Sequence, residues 1–267
     1  MRKGIVYFLN LVLLLTSTAC EKVLDVDLNE TDPKIVIEAV VTNTDYAWVK
    51  LSWTTNYYDT ALPEKINNAI VVVSDNEGNM DTLDLLDKGF YKSSRIKGVE
   101  GRIYFLTVQV DGKEYKSQSL LPGLAPIDSL SYQYYPGGDL LHEEGYYPTI
   151  YFKDPKNSED YYMLVYYKNN KLLNKPTDLQ VTDDKNLQEL IAGYEVFYPL
   201  QLKDTFKLQL NSITKEAFIF YRDLSSQLNN DGGLTSSPPA NAQGNISNGA
   251  LGCFQVSSLK MDSLIIK

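Results

Sequence analysis

Histidine is nearly missing from this chain: His142 is the sole one in 267 residues. Cysteine is almost as scarce, with only Cys20 and Cys253. These two shortages remove several chemistries. A Ser-His-Asp hydrolase would have to be built on His142, and no G-x-S-x-G elbow is present. His142 and Glu144 lack the further His or Cys ligands of an ordinary zinc set, and DLLHEEGYY (139–147) is expected to be an exposed polar loop between strands. No phosphate loop or dinucleotide fingerprint occurs. Positive charge is also short, with 25 Lys and Arg against 34 Asp and Glu and a net charge of −9. That balance excludes nucleic acid, which needs basic patches. It also disfavours lying flat on anionic lipid. The acids are so numerous that pairs suited to glycoside hydrolysis arise from abundance alone. The expectation is a non-catalytic protein with no cofactor and no metal.

Long apolar runs are missing as well, apart from one at the N-terminus. Arg2 and Lys3 are followed by Ile5–Leu15, apolar except for Asn10, and then by the small residues Thr16–Ala19. A charged start, a short apolar stretch and a small-residue cleavage site make a secretory signal. The run falls short of the roughly 20 residues that span a bilayer. The residue after the cut is Cys20, and Ser17-Thr18-Ala19-Cys20 resembles a bacterial lipobox, with Ser17 where Leu is commonest. Residues 1–19 are therefore expected to be removed and Cys20 to be lipidated. Three acyl chains would anchor the chain far more firmly than the marginal binding of one. Cys253 would then have no disulfide partner, which fits a small buried core residue. Residues 20–33 form an acidic tether. Asp25, Asp27 and Asn29 echo a calcium loop, but Glu30 and Val36 stand where Gly and Glu are needed.

Roughly 250 residues remain after cleavage, enough for one large domain or two of ordinary size. From 34 to 121 the text is a succession of strands: 35–41, 48–53, 69–75, 82–87, 90–94, 102–110 and 113–120. Their apolar residues are clustered or alternate, as half-buried strands require. Asp111-Gly112 between two alternating runs signals a tight hairpin. Short strands with turns between them predict an immunoglobulin-like β-sandwich. Pro122-Gly123-Leu124-Ala125-Pro126 then acts as a rigid connector.

Residues 127–267 predict a second β-rich domain, with strands near 127–135, 149–154, 160–169, 194–202 and 205–213 and a polar excursion over 171–192. One helix is predicted over 214–229, because Ala217, Phe220, Tyr221, Leu224 and Leu228 share a face. Asn229–Gly233 would end it through a left-handed cap. A Gly, Asn, Ser and Pro-rich loop leads to a closing strand at GALGCFQVSS. The fold class is thus mainly β, with a single helix late in the chain.

Several blocks carry a family resemblance: IVIEAVVTN, AIVVVSDNEGNMDTL, GFYKSS, YFLTVQVDGKEYKSQS, PIDSL, FKDP and PPANAQGNISNGALGCF. In this order they resemble the Bacteroidota outer-membrane lipoproteins grouped as domain of unknown function 4249. The resemblance spans most of the chain beyond Cys20. It implies an immunoglobulin-like first domain and an anchored position in the outer membrane. It also implies association with TonB-dependent β-barrel receptors. It supplies no catalytic residues.

Tyrosine is plentiful, at 20 residues, with pairs at 57–58, 134–135, 146–147, 161–162 and 166–167. Neighbours in a strand point to opposite faces, so each pair sends one ring outward unless both faces are covered. Rigid rings with polar tips suit protein and sugar surfaces alike. Tyr134, Tyr135, Tyr146 and Tyr147 are the candidate binding surface. Two functions follow: an accessory subunit of an outer-membrane receptor, or a free-standing module that binds glycan or protein at the cell surface.

Overall fold

The alternation in IVIEAVVT folds as a strand with one face inward. In the computed structural model, β1 (Ile35–Thr42) buries Ile35, Ile37, Ala39 and Val41 and turns Glu38 outward. The structure describes residues 32–56, 61–124, 127–138, 140–152, 159–183, 193–230 and 240–267. The signal, Cys20, nearly all of the tether and the pair Tyr57–Tyr58 lie outside them. So do residues 125–126 of the connector.

Seven further strands follow β1: β2 (Tyr46–Trp53), β3 (Ile70–Asp75), β4 (Met80–Thr82), β5 (Asp84–Asp87), β6 (Phe90–Lys97), β7 (Ile103–Val110) and β8 (Lys113–Leu120). They form two layers. One runs β1-β2-β6-β5 and the other β4-β3-β7-β8. A shared core fills the space between, with Ile37, Leu51 and Tyr91 from one sheet and Val73, Tyr104 and Leu106 from the other. Fully burying a Leu or Val side chain contributes about 1.5–3 kcal/mol. The expected strand at 82–87 is divided. Leu83 is buried, and its N–H bonds to the Val71 carbonyl at 2.9 Å. The chain on either side of it pairs with different sheets, β4 with β3 and β5 with β6. Between β7 and β8, Asp111 and Gly112 both take positive φ, 50° and 73°. This is the backbone twist a two-residue hairpin favours.

The second half contributes β9 (Ile127–Tyr135), β10 (Gly145–Phe152), β11 (Tyr161–Lys168), β12 (Lys171–Leu172), β13 (Gln180–Asp183), β14 (Tyr194–Glu195), β15 (Thr205–Ile213) and β16 (Leu251–Ile265). Within the polar stretch after β11, the described residues form β12, a 3-10 turn at Pro176–Asp178 and β13. The run 194–202 is not one strand. It shrinks to the two residues of β14 and a single bridge from Tyr146 to Leu200. Pro199 sits inside it and offers no N–H for a ladder.

The helix forms as its periodicity predicts, as α1 (Lys215–Leu228). Thr214 caps it, accepting a hydrogen bond from the Ala217 N–H. Ala217 is fully buried, and the Tyr221 hydroxyl donates to Gln255 Oε1 at 2.6 Å. The helix end differs from expectation. Asn229 has φ −96° rather than a left-handed value, and its side-chain nitrogen donates to the Ser225 and Pro176 carbonyls instead. With α1 on one side, β11 is covered on both faces. Tyr161 and Met163 face the helix cluster, while Tyr162, Leu164 and Tyr166 enter the other core. Consecutive tyrosines are therefore both buried here.

The last strand joins the halves. Leu251–Ser257 of β16 runs parallel to β1, and Ser258–Ile265 runs antiparallel to β15. Phe254 and Val256 enter the first core and Cys253 the helix cluster. The first-half sandwich thus takes a strand from beyond the 34–121 boundary, and Pro33–Lys267 forms one compact unit. Two residues of the polar tail secure this arrangement. Asn245 mimics a neighbouring strand, donating from Nδ2 to the Phe254 carbonyl and accepting from its N–H. Gly252 has φ 103°, and a Cβ there would lie 2.1 Å from the Ile37 carbonyl oxygen. Only glycine allows that approach.

Candidate functional site

The four candidate tyrosines all lie on the β9–β10 hairpin, but the ladder divides them. Tyr134 is directly opposite Tyr146, and Tyr135 is opposite Gly145. Opposed residues share a face and adjacent residues do not. One face therefore carries Tyr134 and Tyr146, with ring centroids 4.9 Å apart, and Tyr132 meets Tyr146 edge-on at 5.6 Å. Tyr134 is 43% exposed, and its hydroxyl donates to Glu144 Oε1 at 3.1 Å. That carboxylate raises the Tyr134 phenol above its ordinary pKa by stabilising the protonated form.

The other face carries Tyr135 and Tyr147. Tyr147 departs from the expectation of a surface ring: it is only 2% exposed. Its hydroxyl closes the hairpin loop, accepting from the Glu143 N–H at 2.9 Å and donating to the Glu143 carbonyl at 3.2 Å. His142 also departs from expectation. It is not solvated, its side chain being 11% exposed. Tyr135 lies flat on it, with centroids 3.7 Å apart and an angle of 7°. Tyr147 meets it edge-on at 4.9 Å, and Phe197 stacks beyond it at 5.8 Å. Glu195, from β14, binds this group together. One oxygen pairs with His142 Nε2 at 2.8 Å and the other accepts from the Tyr135 hydroxyl at 2.9 Å. The reason is topological. β14 pairs with β10, so Glu195 lies opposite Thr149, on the same face as Tyr147 two residues earlier.

A cavity of about 650 Å³ opens beside this cluster and shares Glu195 and Phe197 with it. Its apolar lining includes Leu164, Leu179 and Val181. In its wall, Gln180 Oε1 accepts from both the Tyr166 and the Tyr194 hydroxyls, at 3.0 and 2.5 Å. Burial raises both phenols above their usual pKa, most strongly that of Tyr166. They stay protonated and serve as donors. Gln180, Glu195 and Phe197 were not legible as site residues. Gln180 falls in the polar stretch 171–192 and Glu195 and Phe197 in the run 194–202, and only the pairing of β13 with β11 and β14 with β10 assembles them.

Cys253 is buried, as its apolar setting predicts. Burial, with the Glu216 charge adding to it, pushes its thiol up to about 12, so it stays protonated near neutral pH and is no nucleophile. Among the described residues, no group of three or more His, Cys, Asp or Glu is placed to hold a metal ion. Among them too, no helix is long and apolar enough to cross a membrane.

A family model for a domain of unknown function (DUF4249) matches residues 21–262. The chain belongs to that family. Among curated proteins, no relative matches it. The matched span holds both halves of the structure, the tyrosine hairpin and the cavity. Parts of the family-like tail have a plain structural role, since Asn245 and Gly252 hold β16 in place.

Proposed function

We propose that this protein is a non-catalytic, lipid-anchored accessory subunit of an outer-membrane β-barrel receptor of the TonB-dependent type. In this reading Cys20 carries the lipid, residues 20–33 are the tether, and the body docks on the barrel to help capture or pass a ligand. The observation that carries the docking is an apolar surface around the hairpin tip. Leu140, Leu141 and Phe197 are 104%, 73% and 63% exposed. Leu141 and Phe197 also line one shallow groove, where Glu143, Lys168 and Lys175 border the apolar tip with charge. Large exposed apolar patches mark interaction sites more often than isolated exposed residues do. The lipobox and the family resemblance support the location.

The test is copurification. A C-terminally tagged chain would be taken from gently solubilised native membranes, alongside a Cys20→Ala strain. The expected result is a stoichiometric barrel with the unaltered chain and its loss with Cys20→Ala. The protein alone in the outer-membrane fraction would contradict the docking. A Cys20→Ala chain that stays in the membrane would contradict the lipid anchor.

A further inference from the structure

The cavity between β13, β14 and α1 has the size and lining of a small-molecule site. Such sites occupy about 300–1,000 Å³ and combine apolar walls with a few convergent polar groups, and this one measures about 650 Å³. Three features of its wall narrow the ligand.

First, Phe197 is 63% exposed although it lines the cavity. It is the outermost ring of the Tyr135–His142–Phe197 stack. That stack holds a flat apolar platform at the cavity without a large packing penalty on its removal. Second, the two ionisable side chains in the wall that could select an ion already have hydrogen-bond partners. Glu195 is engaged by His142 and Tyr135. Arg222 directs Nε and Nη2 to the same Asp223 oxygen, at 3.3 and 3.0 Å. Third, the remaining polar groups both give and take hydrogen bonds. Thr177 and Thr182 are in the lining, and the Thr182 hydroxyl, donating to the Asp183 carbonyl at 3.3 Å, keeps acceptor capacity. Gln180 has its carbonyl oxygen occupied by two tyrosine hydroxyls, so the two hydrogens on Nε2 are its remaining capacity.

A flat apolar platform beside neutral groups that donate and accept matches a ring with C–H faces and hydroxyl edges. We infer that this cavity binds a neutral pyranoside, as a single sugar or the end of a short oligosaccharide. The inference does not require a receptor. Phe197 borders both the cavity and the exposed hairpin tip, so the isolated chain, with no barrel present, is the form in which sugar binding is read.

Saturation-transfer NMR on the full chain in detergent tests it, with maltotriose, cellotriose and mannotriose as probes and adenosine as a neutral aromatic comparator. At least one trisaccharide is expected to receive saturation. Phe197→Ala should weaken its binding about tenfold, the loss of one aromatic anchor. Gln180→Ala should weaken it as well. Tyr134→Ala, on the opposite face of the hairpin, should leave it unchanged. Phe197 is mostly exposed, so its variant keeps the core; an unaltered amide fingerprint and thermal midpoint would verify this. Three results would overturn the assignment: no transfer to any trisaccharide at millimolar concentration, an affinity unchanged by Phe197→Ala, or transfer to adenosine alone.

Discussion

The two halves of this molecule use their inward tyrosine hydroxyls differently. In the first half, the Tyr91 hydroxyl donates to the Ile66 carbonyl and accepts from the Ala69 N–H. Tyr104 does the same between Lys97 and Val99. Both partners are backbone, so each ring pins a loop to the sandwich. In the second half, Tyr147 keeps that pattern at Glu143, but Tyr135, Tyr166, Tyr194 and Tyr221 donate to the side chains of Glu195, Gln180, Gln180 and Gln255. Side-chain partners can turn and exchange, whereas backbone partners are fixed by the sheet. The first half is built as a scaffold. The second holds an adaptable polar network next to a cavity and an exposed apolar tip.

The largest effect is expected at the joint between the halves. Gly252→Ala would force a methyl group into the Ile37 carbonyl, at a cost of about 3 kcal/mol or more. Because β16 pairs with both halves, a single denaturant transition should move to lower concentration. Two separate transitions would show that the joint does not couple them.

Tyr91→Phe comes next. It leaves a buried carbonyl and a loop N–H without their hydroxyl and should cost about 1–3 kcal/mol. Tyr194→Phe leaves Gln180 still bonded to Tyr166 and should cost less, about 0.5–1.5 kcal/mol. Equal losses in chemical denaturation would erase the distinction between the halves.

A pH series sharpens the scaffold side. Burial alone would raise the Asp75 carboxyl, but hydrogen bonds from the Asn79 side chain and backbone, Arg102 and the Glu77 backbone outweigh it and lower its pKa below the ordinary 3.8. A depressed carboxylate adds stability above the unfolded value and loses it as pH falls through the folded one. Asp75→Asn should therefore lower the melting midpoint at pH 7, and the deficit should shrink below about pH 3.8. A deficit that stays constant down to pH 2 would contradict the role of the charge.

The smallest effect is expected at Tyr134→Phe. It removes one exposed hydrogen bond and should change stability by no more than about 0.5 kcal/mol.

The first half was the more legible in sequence. Its longer strands, such as β1, β3 and β7, have one face in the core, so alternation is visible, and Asp111-Gly112 states its own hairpin. Where the reading failed, a strand changed role. The run at 82–87 switches sheets at Leu83, and 194–202 is broken by Pro199. Strands covered on both faces, such as β11, lose their alternation, so Tyr161–Tyr162 looked like a half-exposed pair. The helix was plain from its spacing. The site was only partly legible. The tyrosine hairpin could be located, but the division of its rings follows from the Tyr134–Tyr146 register. His142 looked solvated because its partners Glu195 and Phe197 lie more than fifty residues away in sequence.

Site-specific photo-crosslinking in native membranes tests the docking account most directly. A photoreactive residue would replace Leu141 at the hairpin tip or Leu86 on the edge strand of the first half, both exposed. The account predicts a crosslink to a β-barrel protein from position 141 and none from position 86. A barrel crosslink from position 86 alone, or none from either, would contradict it.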